Sequence, residues 1–177
     1  MKKQLLTLTV LFFFFGFIPS AFCADVAKIG ILNFQKILTD SSAGKITQKQ
    51  LSQKGTELQT LLKTEKDQLD EMKKAFEREA LVLSPDKQNE KQRDFRIRVN
   101  DFKKMQEDFA REFKQLEVKL LNKIQTEVFQ IAAEIGKKDG YLLILEKKAG
   151  GVIYNPDQID ITDKIIKSYN LKVSETN

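Results

Sequence analysis

The chain contains no histidine, a single cysteine at position 23, and only three prolines and eight glycines in 177 residues. Without histidine there is no imidazole general base and no histidine-bearing zinc site. Glycine scarcity removes the common phosphate cradle as well, because Gly44-Lys45 has no glycine five positions upstream to complete a G-x-x-x-x-G-K-[ST] run. Between Gly55 and Gly136 there is no glycine at all, and Pro85 is the only proline there. A segment so poor in breakers is free to run as long helix.

The composition, 41% hydrophobic and 31% charged, is not that of a disordered chain. The apolar residues are unevenly placed, however. Six of the thirteen phenylalanines fall in the first 23 residues, MKKQLLTLTVLFFFFGFIPSAFC, where Lys2 and Lys3 precede an uncharged run over residues 5–18. A positive end, a short apolar run and small residues in that order make a secretory signal peptide. The run is short for a bilayer span, which takes about 20 apolar residues. Ala21-Phe22-Cys23 fits a small-x-small site, so cleavage is expected after Cys23, with residues 1–23 as the signal peptide. The alternatives are an uncleaved anchor and a lipoprotein cysteine, the latter disfavoured by bulky Phe22. Cleavage there leaves a mature chain without cysteine, which excludes thiolate catalysis and disulfides and leaves stability to helix packing or oligomerisation.

Removing Lys2 and Lys3 lowers the formal charge from +5 to +3. That mild excess suits anionic surfaces or acidic partners and not nucleic acid, for which no motif is present. Carboxylates alternate with lysine and arginine along the predicted helices, as on solvated helix faces. No enzyme and no cofactor or metal site is expected.

Residues 26–33, VAKIGILN, predict a strand. Helix follows over residues 34–38, with Asp40, Ser41 and Ser42 as candidate caps for a longer one. There Leu51, Leu58, Leu62, Leu69, Met72 and Phe76 form a narrow 4-3 ladder whose weaker rungs are Gly55 and Glu65. Beyond Pro85 the ladder resumes at Phe95, Val99, Phe102, Gln106, Phe109, Phe113, Leu116 and Leu120. Leu120, Ile124 and Val128 then take two successive steps of four, a stutter that locally unwinds a supercoil. Ser84 predicts an N-cap and Pro85 the first residue of a new helix, so residues 84–86 are the elbow of an antiparallel hairpin. Its ascending arm, residues 43–83, reaches roughly 60 Å.

After Gly140 the pattern changes. Residues 141–145 and 152–154 predict strands joined through Gly150-Gly151 as a hairpin. Asp160 and Asp163 then open a short helix with Ile161, Ile165 and Tyr169 on one face. Three strands leave exposed edges, so pairing between subunits is expected, through Ile29, Ile31, Leu142, Ile144 and Val152. The fold class is α+β, mainly α: a long antiparallel coiled-coil hairpin (residues 43–137) projecting from a small β-rich trimerisation body (residues 24–42 and 138–177).

The elbow carries EREALVLSPDK at residues 77–87. Leu81, Val82 and Leu83 could close the tip against Phe95 and Val99, or present apolar surface for binding. Three successive residues turn by about 100° each, so they cannot all face one helix. Lys87, Lys91, Arg93, Arg96 and Arg98, with Lys103 and Lys104, make the start of the returning arm locally basic. This is either a solvated face or a surface for electrostatic capture.

A signal peptide, an opening strand KIGILNF at residues 28–34, a charged coiled-coil hairpin and the closing stretch GYLLILEKKAGGVIYNPDQIDITDKIIK at 140–167 together resemble the Skp (OmpH-like) family of periplasmic chaperones. The hairpin contributes only periodicity and charge to the likeness. The resemblance implies a homotrimer in which strands of three chains form a central body and three hairpins hang around a cavity. It further implies an ATP-independent holdase that keeps unfolded outer-membrane proteins soluble in the periplasm. Association with anionic lipid or lipopolysaccharide is also implied, without a motif that maps onto these residues. The rival reading is a structural coiled-coil adaptor or spacer of the cell envelope, which would carry a defined docking patch and further sheet domains.

Overall fold

The computed structural model describes residues 27–176. The expected signal peptide and its cleavage site lie outside the described residues. Strand β1, Ile29–Leu32, leads into helix α1, Phe34–Asp40, and then into α2, Ser42–Glu79. Helix α3, Pro85–Asp139, returns along α2, and β2, Leu143–Glu146, follows. A single 3-10 turn, Asp157–Ile159, precedes the last helix α4, Thr162–Thr176. Among the described residues no helix is long and apolar enough to cross a membrane.

Ser41 sits at the corner between α1 and α2 as a fully buried N-cap, its side chain accepting from Gly44 N–H at 3.0 Å. Glycine is required at 44 because a Cβ there would stand 2.0 Å from the Leu38 carbonyl oxygen. At 38 residues α2 is about 57 Å long, close to the expected arm. Its seam reads as the ladder predicts, with Leu58 and Leu69 buried and Leu51, Leu62, Met72 and Phe76 half-buried. The two weak rungs are filled from α3. A Cβ on Gly55 would lie 3.6 Å from the Phe113 ring, and Arg98 reaches Glu65. On α3, Gln106 is exposed and the adjacent Met105 is half-buried in its place.

The elbow falls where Pro85 dictates, at the first residue of α3. Ser84 has the extended backbone of an N-cap, but its hydroxyl makes no capping bond. Gln88 acts here instead, donating from Nε2 to the carbonyls of Ala80 at 2.6 Å and Leu83 at 3.2 Å. The C-terminus of α2 is thus satisfied by a side chain one turn into α3.

β1 and β2 pair in parallel, Ile29 opposite Leu143 through Leu32 opposite Glu146, and the whole hairpin is the crossover between them. The sequence expectation of a hairpin between 141–145 and 152–154 is overturned. The chain folds back on itself after β2, with Val152 N–H bonded to Lys147 O at 2.9 Å, and no strand forms over 152–154. The other edge of β1 is taken by a bridge between Ile31 and Asp160, with Ile161 N–H bonded to Ile31 O at 2.8 Å. Two strands and one bridge therefore replace the three strands expected.

The core is built where α3, α4 and β1 meet. Leu32, Ile37, Ile124, Val128, Ile131, Ile135, Ile161, Ile165 and Tyr169 form one buried cluster. The α4 face expected from its spacing is its centre, Ile165 being fully buried. The last turns of α3 belong to this core, although residues 124–135 lie within the span assigned to the hairpin. Gly140, at φ 70°, ends α3 in the left-handed conformation that side chains disfavour.

Candidate functional site

Among the described residues, the most exposed apolar side chains lie at the elbow and on the body. At the elbow, Leu81 is 93% and Val82 83% exposed, while Leu83 is half-buried. The turn residues 80–83 continue the helical winding without a partner, so only one of the three successive apolar side chains packs inward. The reading in which all three close the tip is excluded for Leu81 and Val82. Exposed leucine and valine side by side on a charged arm are apolar area held in water, at a cost of roughly 25 cal/mol per Å².

The basic residues beside the elbow divide into two groups. Lys87 pairs with Glu90 at 2.7 Å, Lys91 with Glu79 across the elbow, and Arg98 with Glu65 and Gln68 of α2, each at 3.0 Å. Hydrogen bonding between Lys87 and Glu90 raises the lysine pKa and lowers that of the glutamate. Arg93 and Arg96 are exposed and have no ion-pair partner among the described residues. Of the seven cations named in this stretch of the sequence, Lys87, Lys91 and Arg98 are ion-paired within the chain, and Arg93 acts electrostatically on Glu90.

The second surface lies on the body. A cleft of about 410 Å³ is bounded by Phe129 and Ala133 of α3 and by Leu142, Leu143 and Ile144. Leu142 is 75% exposed, and Ile29, Leu143 and Phe129 are also open to solvent. In the segment after β2, Ile153 is 98% and Tyr154 82% exposed. The strand-end residues read from the sequence therefore separate. Ile29 and Leu142 face solvent, Val152 and Ile144 are half-buried, and Ile31 is buried in the chain's own interior. Phe129, Ile153 and Tyr154 were not singled out by sequence reasoning. Phe129 lies off the seam ladder of α3, a signal that could have marked it as surface.

At the C-terminal end of α3, Lys28 donates to the Asp139 carbonyl at 2.8 Å and lies over the Tyr141 ring, 4.3 Å from its centroid. Lys164 of α4 bonds the Asp139 carboxylate, which holds that carboxyl below the usual aspartate range. Tyr169 donates its O–H to Glu127, and burial together with this bond pushes the phenol pKa up. These contacts bind the body together; none assembles a nucleophile, a base and an oxyanion site.

A long antiparallel helical hairpin closing on a two-stranded parallel sheet, with apolar side chains exposed at both ends, defines an arm-bearing α+β protein. The profile of the outer membrane protein (OmpH-like) family matches residues 28–169, and the chain belongs to that family. A Skp-like protein of Pseudomonas aeruginosa is 29% identical over 158 residues, which cover 86% of this chain and 88% of that one. The fold is also similar to the crystal structure of a candidate outer membrane chaperone (OmpH-like) from Caulobacter crescentus, with a TM-score of 0.77 at 17% identity over 83% of this chain and 86% of that one.

Proposed function

We propose that this chain is an ATP-independent periplasmic holdase that binds unfolded outer-membrane proteins and keeps them soluble for delivery to the outer membrane. The observation that carries the reading is the Leu81-Val82 pair, 93% and 83% exposed at the end of a largely charged arm on which Ile46, Leu61, Ile97 and Val118 are exposed only to about half. An elbow of this kind makes weak apolar contact with any non-native segment, and several arms together turn weak contacts into useful retention. The same reading takes residues 24–42 and 138–177 as a trimerisation body and residues 43–137 as the arm. The open cleft beside Leu142 and the unpartnered Ile153 and Tyr154 support association through the body. Leu81, Val82, Arg93 and Arg96 are the proposed client contacts. Anionic lipid or lipopolysaccharide is a further candidate partner, with no residues assigned to it.

The test is suppression of aggregation. An unfolded outer-membrane protein diluted from denaturant should stay soluble in the presence of the purified protein and absence of nucleotide, and should sediment without it. An adaptor or spacer would leave the aggregation unchanged, and that result would overturn the proposal.

A further inference from the structure

Two adjacent side chains of α4 hold the two arm helices at their roots. Asn170 Oδ1 accepts the N–H of Ser42, the first residue of α2, at 2.8 Å. Tyr169, 1% exposed, donates its hydroxyl to Glu127 Oε2 of α3 at 2.5 Å. Successive helix residues point about 100° apart, so one turn of α4 can address both neighbours.

The surroundings explain why such polar bonds matter. α2 leaves the body through the extended corner at Ser41, and near it α3 carries the Leu120, Ile124, Val128 stutter, which locally unwinds a supercoil. Between the roots lies a cleft of about 420 Å³ lined by Ala43, Ile46, Leu120, Ile124, Tyr169 and Val173. The cleft opens to solvent beside the packed side chains Ile124 and Tyr169, so the polar bonds of Tyr169 and Asn170 add to side-chain packing in setting the angle there.

We infer that Tyr169 and Asn170 are positioning residues, a latch by which α4 fixes the direction in which the arm leaves the body. The significance for client holding rests on the proposed function, whereas the latch is a property of the single chain. A tilt of about 10° at the root moves the elbow by about 10 Å over an arm of roughly 57 Å, so a small change at the latch alters the space between arms substantially.

The experiment measures the distance between spin labels at Asp86→Cys in the elbow and Lys148→Cys on the body, with Cys23 replaced by serine and labelled chains diluted with unlabelled ones. Three variants are compared in this background: Asn170→Ala, Asn170→Asp and Tyr169→Phe. Asn170→Ala removes the acceptor for Ser42 N–H, Asn170→Asp restores one, and Tyr169→Phe keeps the buried ring while losing only the hydroxyl. Asn170→Ala and Tyr169→Phe should shift or broaden the distribution by on the order of 10 Å, the displacement expected from the tilt above. Asn170→Asp should keep the parent distribution. An unchanged distribution in Asn170→Ala and Tyr169→Phe, with circular dichroism showing both folded, overturns the inference. Equal broadening in Asn170→Ala and Asn170→Asp overturns it too, because the acceptor would then be irrelevant. Should Asn170→Ala fail to fold, Tyr169→Phe alone decides by the same criterion. Failure of the holdase reading would show separately, in the aggregation assay of the parent protein, and would leave these distances unaffected.

Discussion

Arg98 of α3 is tied to Glu65 of α2 across the hairpin, Nη2 to Oε2 at 3.0 Å. The pair places a satisfied charge on a rung of the seam where an apolar residue would be expected, and it adds a fixed point to the register of the two helices. Arg98→Ala should lower the melting temperature of the arms modestly, by on the order of 0.5 kcal/mol of stability, because the pair is partly solvated. Circular dichroism melts at low and high salt check this, with the deficit shrinking as salt rises.

Arg93 and Arg96 should behave differently, since neither forms an ion pair or hydrogen bond among the described residues, Arg93 acting only electrostatically on Glu90. Reversing both to glutamate should slow capture of an unfolded client at low salt and leave arm stability unchanged, because exposed charges mainly steer encounter. Stopped-flow association measured across ionic strengths should show the loss vanish at high salt. An unchanged rate at low salt would make these arginines a solvated face only.

At the elbow, Leu81→Ser with Val82→Ser should weaken aggregation suppression without lowering the melting temperature of the arm, because both side chains are already in water. Leu83→Ser, by contrast, should destabilise the arm, since that residue is half-buried. Measuring activity and melting in the same variants separates the roles. Full activity in the double variant would move client contact away from the elbow.

The body offers a similar separation. Leu142→Asp with Ile153→Asp alters side chains that are exposed in the single chain, so the protomer should keep its fold while the proposed trimer dissociates. Ile144→Asp should cost the protomer its fold as well, because the Ile144 Cδ1 lies 3.2 Å from where a Cβ on Gly136 would stand. Light scattering combined with circular dichroism distinguishes the outcomes. A monomeric parent protein at micromolar concentration would refute trimerisation.

Acid should loosen both the body and the arms. The Asp139 carboxyl is held low by its hydrogen bond from Lys164, with burial opposing, and Glu71 and Glu90 are lowered by hydrogen bonds from Lys74 and Lys87. A carboxyl with a depressed pKa in the folded state contributes stability above its unfolded value and loses it as pH falls through the folded value. With no histidine to titrate near neutrality, the melting temperature should be nearly flat between about pH 5 and 9 and fall below about pH 4. The Lys164→Met variant should melt lower than the parent at neutral pH, and the difference should disappear in strong acid.

The hairpin was readable from residues because each of its determinants is local. The absence of glycine between 55 and 136, the single Pro85 and the 4-3 ladder act within a few residues, and helix geometry converts them directly into two long arms. The buried face of α4 was readable for the same reason, from the spacing of Ile161, Ile165 and Tyr169. At the elbow, the sequence established that three successive apolar residues could not all be buried. Only the folded turn decided that Leu81 and Val82 stay outside. Strand pairing was beyond local reading. Val152, Ile153 and Tyr154 have strand-forming character, yet they form no hairpin with β2, which pairs with β1 across the entire helical hairpin, while the other edge of β1 is taken by Asp160 and Ile161. The partnerships of Arg98 with Glu65 and of Tyr169 with Glu127 likewise exist only once distant turns are side by side. Periodicity determines which face of an element is apolar, whereas which charge is neutralised and which apolar side chain is covered depends on the neighbour that tertiary packing supplies.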